Sequence, residues 1–329
     1  MTRFVAAILI AHLAAAAAAA TAPPAVKSIT IGGREYLALE EWGRSRGLQL
    51  VWASKTDLLL TNKATRLNFT VNSPKAALNG TTLWLTCPVV LQGATPCLAR
   101  ADVQTTFEPL LWPVQRGPKS PLICVDAGHG GKDTGNLEGR HKEKDYTLLL
   151  AREFAAQLRK AGFRTTLTRS WDTTVELEDR PEIARRRGAH LFISLHLNAA
   201  ANGDARGSEV YCLTPAFAAS TNARGEGAGT GALAGNQQNG QNILLAYHLQ
   251  RSVVRRMGLE DRGVRRARWA VLRTARMPAV LVEVGFMSNP DEARRLYSPE
   301  WRRQYCQALV EGVKNYQRLA SGASAPPAP

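Results

Sequence analysis

The sequence predicts an α/β fold: a mostly parallel central sheet with helices on both faces, preceded by a small β-rich domain. Two observations carry that expectation. From residue 122 onward, short apolar runs alternate with stretches of helical composition, the pattern of a sheet covered by helices. Those apolar runs are largely unbroken by polar residues, as in central strands buried on both faces. Before residue 112 the texture differs, with short apolar runs separated by glycine and asparagine turn signals.

The elements follow in chain order. Residues 1–20 read as a secretory signal: Arg3, an apolar run over 4–13 and an alanine tract to Ala20, with Ala22 as a second candidate cut site. The alternative is a membrane anchor, but the strongly apolar part is shorter than the roughly 20 residues a span needs. No later run is long enough to cross a bilayer, and no cysteine stands near the end of the signal to take a lipid. The reading is therefore an exported protein, periplasmic or extracellular, without stable membrane insertion. Residues 27–111 form the β-rich domain. Strands at 29–31 and 35–37 flank the hairpin signal Gly32-Gly33, a short helix covers 39–46, and strands follow at 48–52, 58–61 and 67–71, with a further turn at Asn79-Gly80. Residues 112–120 read as a linker, with prolines at 113 and 118 and another at 121.

The second half, 121–319, supplies strands at 122–126, 163–169, 191–197, 208–213 and 279–284. Helices are expected at 146–160, 177–187, 242–257 and 290–319. Residues 215–241 are rich in Gly, Ala, Asn, Gln, Ser and Thr without an apolar period, and read as an insertion beside the site or as a plain surface loop. Residues 320–329 are small and proline-rich and read as a disordered tail.

Composition narrows the partners. The chain has 329 residues, 45% of them hydrophobic, and a formal net charge of +15, which favours a polyanionic partner. Arg185-Arg-Arg187 and Arg265-Arg266 raise the idea of nucleic-acid binding. No nucleic-acid motif accompanies them and export removes that partner, so they read as solvated helix faces or contacts to an anionic wall polymer. The five cysteines are an odd number; Cys87 and Cys97 could bridge or stay as buried thiols. None sits in a Cys-x-x-Cys pair, which argues against a thiolate zinc site.

Three donor residues fall at strand ends or in loops: His129 just past the first strand of the second half, Glu143 just before the first long helix, and His196 at the end of the strand 191–197. Sites in open α/β sheets form beyond the carboxyl ends of strands. Two imidazoles, one carboxylate and an open fourth position are what a hydrolytic zinc needs. Glu283 stands inside the apolar run Val280-Leu-Val-Glu-Val-Gly-Phe286. A carboxylate there is costly unless paired or used, and burial would raise its pKa toward that of a general base. Each residue has a structural alternative. A histidine can satisfy a core hydrogen bond, Glu143 sits in a charged turn, and Glu283 could pair with an arginine. His141 and His190 compete as ligands, although His190 falls at the opposite end of the strand that carries His196.

Taken together, Val125-Asp-Ala-Gly-His-Gly-Gly131, Glu143-Lys-Asp145, Leu167-Thr-Arg169, the strand ending at His196 with Asn198, and Pro278-Ala-Val-Leu-Val-Glu-Val-Gly-Phe-Met-Ser-Asn289 resemble the zinc-dependent N-acetylmuramoyl-L-alanine amidases, over about residues 121–317. The resemblance implies zinc held by His129, Glu143 and His196, with Glu283 as the catalytic carboxylate. It implies peptidoglycan as substrate, cut between the lactyl group of muramic acid and L-alanine, and leaves room for a protein activator. Some relatives carry a zinc-blocking regulatory helix where 215–241 stands, but this segment is poor in helix formers, so such a helix is not expected. The module 27–111 resembles the small stalk domain named after copper amine oxidases, which implies a spacer or wall-binding role without copper. A competing reading is a non-catalytic peptidoglycan-binding protein that retains the fold; the presence of all four site residues speaks against it.

Overall fold

The computed structural model describes residues 26–222, 226–229 and 231–322. The segment read as a signal, and the tail beyond residue 322, lie outside the described residues.

The first half contributes nine strands: β1 (Ser28–Ile31), β2 (Arg34–Ala38), β3 (Gln49–Trp52), β4 (Asp57–Thr61), β5 (Arg66–Thr70), β6 (Lys75–Leu78), β7 (Thr81–Trp84), β8 (Val90–Gln92) and β9 (Thr95–Ala99). The hairpin β1–β2 turns at Gly32 and Gly33, both at positive φ as such two-residue turns require. The short helix Leu39–Ser45 follows as expected. Strands β6 to β9 and a helical stretch from Arg100 to Leu111 carried too little periodicity to be read from the sequence. Cys87 and Cys97 are both buried free thiols in a small cluster with Tyr36 and Ala99.

The second half holds β10 (Leu122–Ala127), a short hairpin β11 (Leu137–Glu138) and β12 (His141–Lys142), then β13 (Arg164–Leu167), β14 (Leu191–Asn198), β15 (Ser208–Leu213), β16 (Asp261–Ala267) and β17 (Ala279–Phe286). Strands β13, β10, β14 and β17 lie parallel in that order. β15 joins β17 antiparallel, and β16 runs parallel to β15. Beyond β16 the sheet continues into β7, β6, β5, β4 and β3, giving eleven strands in one sheet, while β1, β2, β9 and β8 form a separate four-stranded sheet. The sheet thus runs across the proline-rich segment that read as a linker.

Helices cover both faces. The helix Glu143–Lys160 buries Thr147, Leu150, Ala151, Phe154, Ala155 and Leu158, one stripe at spacings of three and four. It packs with Asn239–Met257 and Pro299–Ala320 against one face, over a core that also takes in Leu58, Leu83 and Phe107 of the first half. The opposite face carries Asp179–Arg186 and Ala270–Arg273 over a smaller core. The helical region expected at 290–319 is two helices. Pro290 and Pro299 each occupy a first turn, and Asn289 and Ser298 cap them by accepting backbone N–H groups. The second helix ends at Ala320, one residue into the segment that read as tail.

The reading of Arg265-Arg266 fails. Arg265-Arg266 is not a solvated helix face but lies in β16, with Arg266 1% exposed. Its guanidinium donates to Thr105 O at 2.7 Å and Thr106 Oγ1 at 3.0 Å in the first half, and to Leu213 O at 3.3 Å in the second. A buried arginine with satisfied donors is tolerated where a bare charge is not. Among the described residues no helix is long and apolar enough to cross a membrane.

Arg266→Ala should therefore lower stability by about 2–4 kcal/mol, since it strands several carbonyl and hydroxyl acceptors in the interior. Urea unfolding checks this; a midpoint within error of the parent protein would show that the two halves do not depend on this arginine.

Candidate metal centre

β10 ends at Ala127 and the chain turns sharply through Gly128 to Gly131, with His129 at φ 60°. A left-handed histidine is uncommon and needs support. Two buried arginines supply it. Arg169 donates to Ala127 O at 3.0 Å and to Gly128 O at 3.0 Å, and Arg180 donates to Ala127 O at 2.7 Å and His129 O at 2.8 Å. Gly128 is required for a further reason: a Cβ there would lie 2.4 Å from the His196 ring.

Glu143 was expected just before the long helix and is in fact its first residue, delivered there by the β11–β12 hairpin. It is buried, and its Oε2 accepts from the backbone N and the side-chain Nδ2 of Asn136, both at 2.9 Å. Its Oε1 accepts from Leu197 N at 2.9 Å and faces the two imidazoles. His196 lies near the end of β14 in an otherwise largely buried strand.

The three side chains meet. His129 Nε2 is 3.2 Å from Glu143 Oε1, His196 Nδ1 is 3.1 Å from the same oxygen, and the two ring nitrogens are 3.2 Å apart. Ligands about 2.0–2.1 Å from a tetrahedral zinc lie roughly 3.3–3.4 Å from one another. Their spacing and their nitrogen–oxygen chemistry therefore fit a divalent ion of that kind. The two imidazoles and the carboxylate form the one group of converging metal-ligating donors among the described residues. His129 Nδ1 lies 2.8 Å from Asp133 Oδ2. A proton on Nδ1 shared with that carboxylate leaves Nε2 free to face the group, the usual outer support of a ligating histidine.

Glu283 is aligned with His196 across β14 and β17, and with Glu209 across β17 and β15. His196 and Glu283 are also partly exposed positions at matching places in two largely buried strands. The competitors fall elsewhere. His141 Nδ1 meets Tyr146 OH at 2.5 Å and its ring stacks on Tyr297, while His190 Nδ1 accepts from Leu122 N at 3.1 Å at the far end of β14.

Sequence reasoning missed Asp133, Asn136 and Glu209. Asp133 offered one signal, an acidic residue four positions after His129 in a glycine-rich turn. Of the two readings of 215–241, an insertion beside the site and a plain surface loop, the first fails. β15 runs against β17, so the end of β15 lies beside the start of β17, opposite the metal centre. The described part of 215–241 leaves from that end. It is tied to β16 by Thr221 against Arg266 and by Arg268, which donates to Gly227 O.

Sequence and fold are both similar to those of known proteins. A family model described as N-acetylmuramoyl-L-alanine amidase matches residues 123–315. The amidase AmiA of Escherichia coli is 31% identical over 253 residues, spanning 69% of this chain and 87% of that protein. The amidase AmiC of Neisseria meningitidis is 34% identical over 61% of this chain, which spans 54% of that protein's length. Among solved structures, the amidase AmiC2 of Nostoc punctiforme is 33% identical with a TM-score of 0.50, covering 61% of this chain and 98% of its own.

Two opposed titrations should shape the metal-free protein. Burial by itself would lower the His129 pKa, but Glu143 and then Asp133 raise it above the ordinary 6.5. Burial by itself would raise Glu143, but His129 and His196 draw it well below the ordinary 4.5. The His129 contribution to stability is complete below 6.5 and is lost as pH rises through the raised value; that of Glu143 is complete above 4.5 and is lost as pH falls. Thermal melting of chelated protein should therefore peak between those values. Added zinc, which takes neutral imidazoles, should reverse the alkaline loss. A zinc effect that is flat from acid to alkaline pH would count against these ligands.

Proposed function

The chain belongs to the N-acetylmuramoyl-L-alanine amidase family, and from that premise we propose that it hydrolyses the amide between the muramic acid lactyl group and the L-alanine of the peptidoglycan stem peptide, using zinc held by His129, Glu143 and His196. The observation that carries the proposal is the convergence of those three donors at 3.1–3.2 Å beside a carboxylate in register on the next strand. Bound there, zinc supplies Lewis acidity that polarises the amide carbonyl and lowers the pKa of water.

The chain's own groups do the rest. Glu283 accepts a proton from the attacking water and passes it to the leaving amine nitrogen, so that the amine departs neutral. Its place on a central strand, between the strands carrying His196 and Glu209, fixes it better than a loop would. Asp133 holds the His129 ring and its tautomer. Asn136 and the Leu197 amide occupy the remaining lone pairs of Glu143, which restricts how that carboxylate can turn. Action on the cell wall requires a place outside the cytoplasm, consistent with reading residues 1–20 as an export signal.

The test uses purified peptidoglycan and mass spectrometry of what is released. The parent protein should free stem peptides with a new L-alanine amino terminus. Glu283→Gln should slow release by about 10²–10⁴-fold, the usual range for a lost general base. Asp133→Asn should weaken zinc binding by about 10–100-fold. Unchanged release by Glu283→Gln would remove that residue from the chemistry. Binding without release at saturating zinc would favour the wall-binding reading.

A further inference from the structure

The rim of the sheet opposite the metal centre carries a groove built from both halves of the chain. Its first part, about 360 Å³, lies between the helical stretch 100–111, the segment that follows it and the start of the helix Asn239–Met257. Its second part, about 340 Å³, shares Arg116, Gln237, Gln238 and Gln241 with the first. It continues to His190, Leu191 and Pro278, where β14 and β17 begin. Each part has the size of a small-molecule site. From Leu191 to His196 the chain runs roughly 16 Å along β14, at a rise of about 3.3 Å per residue. The groove is therefore separate from the place where the metal ligands meet.

The segment that read as a linker forms one wall and is held in place. Gly117 N donates to Ala320 O at 2.8 Å, Gln317 Nε2 to Pro118 O at 2.5 Å and Gln241 Nε2 to Val114 O at 2.8 Å. Tyr316 OH donates to Gln241 Oε1 at 2.9 Å and fixes that amide from its other side. Arg46 pairs with Glu108 and lays its guanidinium 5.0 Å from the centre of the Trp112 ring. The indole is thereby steadied while it keeps 44% exposure. Gln104 and Gln237 line the same part, are exposed, and make no side-chain hydrogen bond among the described residues. The charges of the lining nearly cancel. Glu108 answers Arg46, and Arg276 lies within electrostatic range of Glu182, which leaves Arg116 as the cation without an acidic partner among the described residues.

We propose that this groove binds an uncharged stretch of polysaccharide, the N-acetylated glycan strand of the cell wall. The choice of that glycan rests on the amidase reading above; the ligand class rests on the lining. A steadied, half-exposed indole offers a flat apolar surface to the C–H face of a sugar ring. Free carboxamides each offer donors and an acceptor to hydroxyl and acetamido groups. A polyanion finds one unanswered cation and meets the carboxylate of Glu108. An apolar ligand would cover the amides of Gln104 and Gln237 and leave them unpaired, which is costly. Because the groove and the metal centre lie on opposite rims, the protein rests on one glycan strand while it cuts stems from another. Such a second hold raises the effective concentration of the scissile bond without touching the chemistry. It also gives the first half of the chain and the end of 215–241 a shared task, through Trp112, Gln104 and Gln237.

Calorimetric titration of the purified full chain with an uncharged β-1,4-linked N-acetylglucosamine tetramer tests this. The tetramer should bind, and Trp112→Ala should weaken it by about two- to tenfold, the worth of one aromatic contact. Gln104→Ala and Gln237→Ala should each weaken it by about two- to tenfold, the worth of one hydrogen bond. Those two amides hold nothing else among the described residues, so they report even where Trp112→Ala fails to fold. No binding at millimolar tetramer, or equal binding by the parent and all three variants, overturns the site. Polyphosphate or an oligoproline peptide whose binding the variants lose, while tetramer binding stays, marks a different occupant and also overturns it. Release of stem peptides from whole peptidoglycan below saturation should fall with tetramer affinity, while kcat/KM on a soluble muramoyl peptide stays at the parent value. Equal losses on both substrates would tie these residues to the metal centre and overturn a separate hold. If the parent does not cut the soluble peptide, the amidase reading fails, and the titration still decides the groove.

Discussion

The buried pair of Asp126 and Arg180 is the constraint on which the metal centre depends. The two groups are 2.9 Å apart, with side-chain exposures of 0% and 1%. Burial alone would push the Asp126 carboxyl up, yet Arg180, Ser194 and Thr168 hold it below the usual value. Those partners come from a helix, from β14 and from the residue just after β13, so one carboxylate fastens the ends of three parallel strands. A buried pair is a poor source of net stability, but breaking one by removing a partner is strongly destabilising. Here the gain is positional. Arg180 also holds the carbonyls of Ala127 and His129, and so fixes the turn that presents the first imidazole.

Arg169 completes the brace from the other side. It reaches the carbonyls of Ala127, Gly128 and Lys144 and the hydroxyl of Thr147. The end of β10 is thereby tied to the first turn of the helix that begins with Glu143. Two of the candidate ligands, on separate elements, are thereby held in one frame. That is the preorganisation a small cation needs, since a displacement of an ångström would spoil the donor spacing.

Much of this was legible in the sequence because the strands of the second half are apolar and two of the candidate ligands, His129 and His196, stand at or just past strand ends. The core strands of the parallel half, Leu122–Ala127, Leu191–Asn198 and Ala279–Phe286, declare themselves by burial alone. β16 did not. Its sequence Asp-Arg-Gly-Val-Arg-Arg-Ala alternates nothing apolar, because its arginines are buried by pairing with Glu209, Thr105 and Thr106 rather than by hydrophobicity. Missing that strand hid the junction between the halves, since Val264 pairs with Leu83 and extends the sheet into β7. Asp133 and Asn136 were invisible for a different reason. They act by hydrogen bonding from a loop, and composition does not reveal which loop acceptor meets which ring.

The reversal of β15 explains both the position of the insertion and the make-up of the site. β10, β14 and β17 present their carboxyl ends to the metal centre, where open sheets place their ligands. β15 and β16 run the other way beside β17, so they present their starts, which places Glu209 and Arg262 near Glu283. Their far ends carry the segment after Leu213 to the opposite rim of the sheet. The described part of 215–241 thus lies away from the donors, and its end packs as the short helix Ala234–Gln238 that leads into the helix Asn239–Met257. The same residues inserted between His196 and Ser208, or between Met257 and Asp261, would fall at the rim where the substrate must approach. The glycine-rich segment stands where the strand directions make it tolerable, and the short connections face the chemistry.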